Sequence, residues 1–133
     1  MLKQTITYED YEGNKVTEDF YFNLNKAELM EMQLSTKGGL AEHIQKIVAE
    51  NDNVQIMALF KNLILKAYGK KSEDGKRFIK NKEITEEFVQ SEAYSELFMK
   101  LISDEKTATA FMNGIVPNDL RQNGANPIPI DAK

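Results

Sequence analysis

With 133 residues, 41% of them hydrophobic and 29% charged, the chain has the size and composition of an ordinary globular domain, which argues against both disorder and membrane residence. A net charge of -4 argues against general affinity for nucleic-acid phosphate, and the absence of cysteine excludes disulfides, thiolate nucleophiles and cysteine-built zinc or iron–sulfur sites. The longest apolar run, Ile56 to Phe60, is far too short to span a bilayer, and Met1-Leu2-Lys3-Gln4 lacks the features of a secretory signal, so a cytoplasmic protein is expected.

Leu2, Ile6 and Tyr8 are apolar while Lys3, Thr5, Thr7 and Glu9 are not, and the alternation returns at Val16, Phe20, Phe22 and Leu24. This period of two marks two half-buried strands. Between them Gly13 and Asn14 accept positive φ, so the chain folds back as an antiparallel hairpin over residues 2–24. Parity limits the loop. A two-residue turn at Gly13-Asn14 would pair odd with even positions and send the two apolar sets to opposite faces. An odd-length loop or a bulge is expected instead, with partners such as Ile6 and Phe20 or Phe22.

Helices follow. Asn25 caps the first, over 25–34, with Glu28 at the reciprocal capping-box position and Leu24 and Leu29 placed as a hydrophobic staple. Gly38-Gly39 ends it. Leu40, Ile44, Ile47 and Val48 form one buried stripe of a second helix, 40–50, and Asn51-Asp52-Asn53 stops it and caps a third, 54–68. That third helix carries Ile56, Met57, Phe60, Leu63, Ile64, Ala67 and Tyr68 on one face, widened by Leu59 and Leu65, and is expected to be the central one. Gly69 suits its C-terminal cap, and Lys66, Lys70 and Lys71 complement its dipole. Residues 72–82 read as a polar turn at Asp74-Gly75 and a short extended piece at Arg77-Phe78-Ile79-Lys80, a second small hairpin. Thr85 caps a helix over 85–102, stapled by Ile84 and Val89, with a break near Gln90-Ser91. Ser103 or Asp104 begins the last helix, 104–113, closed by Gly114 and Pro117. Residues 121–133, with two prolines and almost nothing to bury, read as a flexible tail. The expected class is α+β: an N-terminal antiparallel β-hairpin packed on a predominantly α-helical bundle, in a single domain over 1–120.

No residue combination supports catalysis, a cofactor or a metal. His43, the only histidine, has no histidine partner and reads as a helix-surface or core-edge side chain. Gly69-Lys70-Lys71-Ser72 lacks the earlier glycine of a phosphate loop and follows a helix where that loop follows a strand. Asn51-Asp52-Asn53 lacks the alternating ligands and distal glutamate of a calcium loop. Glu83, Glu86, Glu87, Glu92 and Glu96 read as a solvated face. Residues 61–82 hold seven lysines and one arginine, whereas 83–105 hold seven acids, which reads as two complementary faces, with anion binding the alternative. Six methionines offer core packing or adaptable binding surface, and spacing does not separate the two.

Four stretches carry a family resemblance: FYFNLNKAELMEMQL at 20–34, STKGGLAEHIQKIV at 35–48, LFKNLILKAYGKKSEDGKRFIK at 59–80, and 91–117 with its AYSELF and FMNGIVP segments. Over residues 1 to 121 the chain resembles the tail assembly chaperones of long-tailed (siphovirus-type) bacteriophages and prophages of Gram-positive hosts. The resemblance implies a factor of the host cell cytoplasm that binds the tape measure protein, keeps it soluble, helps recruit tail tube subunits and is not retained in the mature virion. In many phages of that kind a programmed frameshift makes a longer product with the same N-terminal domain, of which this chain would be the short form. Linked or repeated weak sites on one long client gain strength together, so a homo-oligomer is expected. An amphipathic client helix is held on apolar surface, and Met30, Met32, Leu34, Phe111, Met112, Ile115 and Val116 are the expected partner-binding residues. The alternatives are a small phage regulator binding nucleic acid through residues 61–82 and a structural tail completion protein.

Overall fold

The computed structural model describes residues 1–36 and 38–116. Strand β1 (Leu2–Glu9) pairs antiparallel with β2 (Lys15–Phe22), setting Leu2 opposite Phe22, Gln4 opposite Phe20, Ile6 opposite Glu18 and Tyr8 opposite Val16. The loop of residues 10–14 is odd in length, so even positions meet even positions and Leu2, Ile6, Tyr8, Val16, Phe20 and Phe22 share one face, with Tyr21 on the other. Ile6 nevertheless faces Glu18, with Phe20 only diagonal to it. The Asp10 N–H donates to the Asn14 carbonyl (2.8 Å) and Gly13 takes φ 86°, which centres the loop on Glu12 and fixes the register.

The chain continues through α1 (Lys26–Ser35), α2 (Leu40–Glu50) and α3 (Asn53–Ala67). The Asn25 side chain accepts from the Glu28 N–H (2.8 Å) while Glu28 accepts from the Asn25 N–H (2.9 Å), the reciprocal box expected of the sequence. Leu24 and Leu29 are both buried around it. Asp52 caps α3 by accepting from the N–H groups of Val54 and Gln55. In α2, Ile47 is buried, whereas the side chains of Leu40, Ile44 and Val48 lie outside the described residues.

Two short strands, β3 (Tyr68–Lys71) and β4 (Phe78–Ile79), form the second hairpin and complete a four-stranded sheet in the order β1-β2-β3-β4. Gly69 is therefore not a helix cap. Tyr68 already leaves α3 in extended conformation, and Gly69 sits in β3 where a Cβ would come within 2.8 Å of the Phe78 ring and 2.9 Å of the Ile79 carbonyl oxygen.

The expected helix over 85–102 is two, α4 (Lys82–Val89) and α5 (Glu92–Ser103), parted at Gln90-Ser91. Its cap is Asn81, not Thr85, because the Asn81 side chain accepts from the Ile84 N–H at 2.8 Å and starts the helix earlier. Asp104 caps α6 (Glu105–Ile115), which runs through Gly114 instead of closing there. A Cβ on Gly114 would meet Leu2 at 2.7 Å, so this glycine lets β1 approach the helix. Pro117 and the expected tail lie outside the described residues.

The core joins the inner face of the sheet to α3, α4, α5 and α6 through Phe22, Ile64, Phe88, Leu97, Leu101 and Phe111. Aromatic rings thread it, with Tyr68 stacked on Phe88 at 4.4 Å and Phe22 edge-on to Phe111 at 5.3 Å. The central helix is α5, which lies along β1 and touches α3, α4 and α6. In α3 only Leu63, Ile64 and Ala67, at the end that leads into β3, are buried.

Candidate protein-binding surface

Apolar residues in α1 fall on two sides. At about 100° per residue, Leu29 and Met32 lie within one sector, while Met30 and Leu34 lie roughly a third to a half of a turn round from its middle. The first sector packs on the core. The second is open to solvent, with Met30 57% and Leu34 78% exposed.

In α3 the division runs along the helix. Leu63, Ile64 and Ala67 at its C-terminal end are buried, while Val54 and Met57 near its start are 77% and 45% exposed. Ile56, Leu59 and Phe60 are half-buried. A hollow between the two helices is lined by Met32, Ser35 and Thr36 on one side and Asn62, Leu65 and Lys66 on the other. Isolated exposed apolar side chains are ordinary, but pairs at i, i+4 and i, i+3 on two helices give short stripes of the type an amphipathic helix can cover.

The seven expected partner-binding residues divide between surface and interior. Met30 and Leu34 are on the surface, and Met32 is half-buried at the hollow. Phe111, Ile115 and Val116 are 1–2% exposed, inside the core, and Met112 packs against it; in this arrangement they hold α6 to the sheet and are closed to a partner. Val54 was not among the expected residues, and Met57 was assigned to the buried face of α3. The available signal was the width of the α3 stripe, which exceeds what one packing partner needs.

Four lysines of the basic segment contact other parts of the fold. Lys80 donates to both carboxylate oxygens of Glu28 (2.9 and 2.8 Å) and to the carbonyls of Asn23 and Lys66 (each 2.8 Å), tying α1, the end of β2 and the end of α3 together. Lys70 lies 3.8 Å from Glu87 and Lys82 4.0 Å from Glu86, so basic and acidic stretches do meet, and Lys71 sits over the Tyr21 ring. Perturbed titrations also serve the fold. The Tyr8 hydroxyl donates to Glu18, which with burial and the nearby Glu18 and Asp10 charges pushes its pKa up to about 12. Hydrogen bonds from Gln55, Ser72 and Thr107 hold Asp52, Asp74 and Asp104 below the usual carboxylate value, at two helix caps and one turn. Among the described residues no group of three or more His, Asp or Glu side chains could hold a metal, and no helix is long and apolar enough to cross a membrane.

Met30, Leu34, Val54 and Met57 thus present apolar helix surface to solvent. No curated protein and no solved structure matches the chain. The family model described as phage tail assembly chaperone matches residues 1–128, nearly the full length, and the chain belongs to that family.

Proposed function

We propose that this chaperone binds the tape measure protein in the host cytoplasm, keeps it soluble, helps bring tail tube subunits to it, and is left out of the finished virion of a siphovirus-type phage. The observation that carries this reading is the outward apolar surface of α1 and α3, centred on Met30, Leu34, Val54 and Met57. A tape measure protein is a very long helix, and an amphipathic helix stays in solution when its apolar face lies against apolar surface of a partner. Methionine suits this task because its unbranched, polarisable side chain conforms to unlike client sequences. Each contact is small, so retention of a long client calls for many copies acting together, which supports a homo-oligomer.

The test is co-expression with the tape measure gene. The two proteins should copurify, and the larger should enter the soluble fraction only in company. Introducing glutamate at Leu34 and Val54 together should return it to the pellet while the chaperone itself remains folded. A tape measure protein that is soluble alone, or that is retained equally by the doubly substituted chain, overturns the reading. Recovery of the chain in stoichiometric amounts from purified particles would instead make it a structural tail component.

A further inference from the structure

Strand β1 forms one margin of the sheet, and its outer side pairs with nothing among the described residues. The bond from the Asp10 N–H to the Asn14 carbonyl orients the even positions toward β2. By the alternation of an antiparallel ladder, the N–H and C=O groups of Lys3, Thr5, Thr7 and Glu9 face the open margin. Such margins are commonly blunted by proline, a bulge or a covering element. This one has no proline or bulge: eight residues pair with β2 without interruption, and a hollow touching Thr5, Ile6 and Thr7, with Glu96 and Lys100 of α5, opens beside it. Threonines of the outer face and Ile6 of the inner face line that hollow together, so it lies at the strand's edge. The opposite margin, β4, has only two residues.

We propose that β1 pairs antiparallel with β1 of a second copy about a two-fold axis at Ile6, joining the two four-stranded sheets into one. The inference deepens the self-association in the proposed function and does not depend on which client is held. Keeping both buried faces on the same side of the joined sheet requires even positions to meet even positions. Of the registers this leaves, the one centred on Ile6 sets Lys3 opposite Glu9 of the second copy, Glu9 opposite its Lys3, and Thr5 opposite its Thr7. Centring on Thr5 instead sets Lys3 against Thr7, and centring on Thr7 sets Glu9 against Thr5, so neither pairs the two charges. The outer face already uses pairs of this kind within the hairpin, where Glu9 lies opposite Lys15 and the Thr7 and Thr17 hydroxyls meet at 2.9 Å.

Analytical ultracentrifugation of the full chain, with residue-resolved hydrogen exchange over a range of concentrations, tests this. The expected result is a concentration-dependent dimer in which the amides of Lys3, Thr5, Thr7 and Glu9 gain protection as it forms, the even positions being protected throughout. Thr5→Pro removes one margin-facing donor while sparing the β2 ladder, and should abolish the dimer. Lys3→Glu and Glu9→Lys each set like charges face to face and should weaken self-association roughly tenfold, whereas mixing the two variants restores it. Neither charge variant touches the core, so they decide the matter even if the proline variant fails to fold. A monomer at every concentration, a dimer indifferent to all three variants, or margin amides whose protection is independent of concentration would overturn the proposal. If the dimer fails while the tape measure protein is still held in solution, this inference falls and the proposed function stands.

Discussion

Gly69 illustrates how one residue type serves different physical ends. Glycine just past an apolar helix reads as a left-handed cap, yet here its missing side chain makes room for Phe78 and the Ile79 carbonyl in the second hairpin. Gly69→Ala should therefore cost about 1–3 kcal/mol in urea unfolding, since backbone and a packed ring must shift to admit the methyl group. Gly114→Ala should cost less, because the atoms in its way belong to the flexible Leu2 side chain. Tyr8 gives a second, opposite kind of test. Its pKa rises from 10.0 to about 12 in the folded state, chiefly through the bond to Glu18, so the folded chain holds this proton more tightly than the unfolded chain does. The associated stability is complete below pH 10 and is lost as pH climbs toward 12. Unfolding midpoints should fall across that window, and Tyr8→Phe should flatten the decline without removing it, since Tyr68 and Tyr94 are also raised by burial and Tyr11 by its bond to Glu92. Contacts such as Lys80 with Glu28 had no sequence signal, because the partners stand 52 residues apart and only the closed fold brings them together.

Among the elements, local chemistry was legible wherever the deciding residues lie within one turn of each other. Asn25 and Glu28 stand three apart and form the box they spell; the caps fall within the expected stretches, at Asp52 of Asn51-Asp52-Asn53 and at Asp104 of the pair Ser103-Asp104; the parity of the hairpin loop follows from the alternation of its strands. Asn25→Ala should cost about 1 kcal/mol in thermal or chemical unfolding. Glu28→Ala should cost more, because the same carboxylate both completes the box and receives Lys80. A cost for Glu28→Ala no greater than that for Asn25→Ala would show that the Lys80 contact adds nothing to the fold. Legibility ended where two local signals competed or where a distant element decided. Thr85 and Asn81 are both good caps, and the earlier one wins because an extended residue with its carboxamide aimed at the Ile84 N–H starts the helix first. The apolar breadth of α3 suggests centrality, yet only its C-terminal end is buried, and Val54 and Met57 near its start are left open. The position of α5 against β1 depends on side chains far apart in sequence, and no periodicity in either element announces it.

For the whole molecule, the expected partner-binding set contained two populations that hydrophobicity alone does not tell apart. A methionine or leucine at helical spacing looks the same whether the fold closes over it or leaves it outside. The structure separates Phe111, Ile115 and Val116, sealed at 1–2% exposure, from Met30 and Leu34 at 57% and 78%. Substitution should separate them again, through two independent measurements. Phe111→Ala removes a ring that meets Phe22 at 5.3 Å and should cost about 3–5 kcal/mol, a large share of the stability of a chain this size, so any loss of client holding would accompany loss of fold. Leu34→Glu exchanges an exposed side chain and should alter unfolding by no more than about 0.5 kcal/mol, while lowering the fraction of tape measure protein kept in solution. If client holding followed stability alone across both substitutions, the open faces of α1 and α3 would be ordinary surface and the client would have to engage a different part of the molecule. If it followed exposure, the apolar side chains that the core does not need are the ones the client uses.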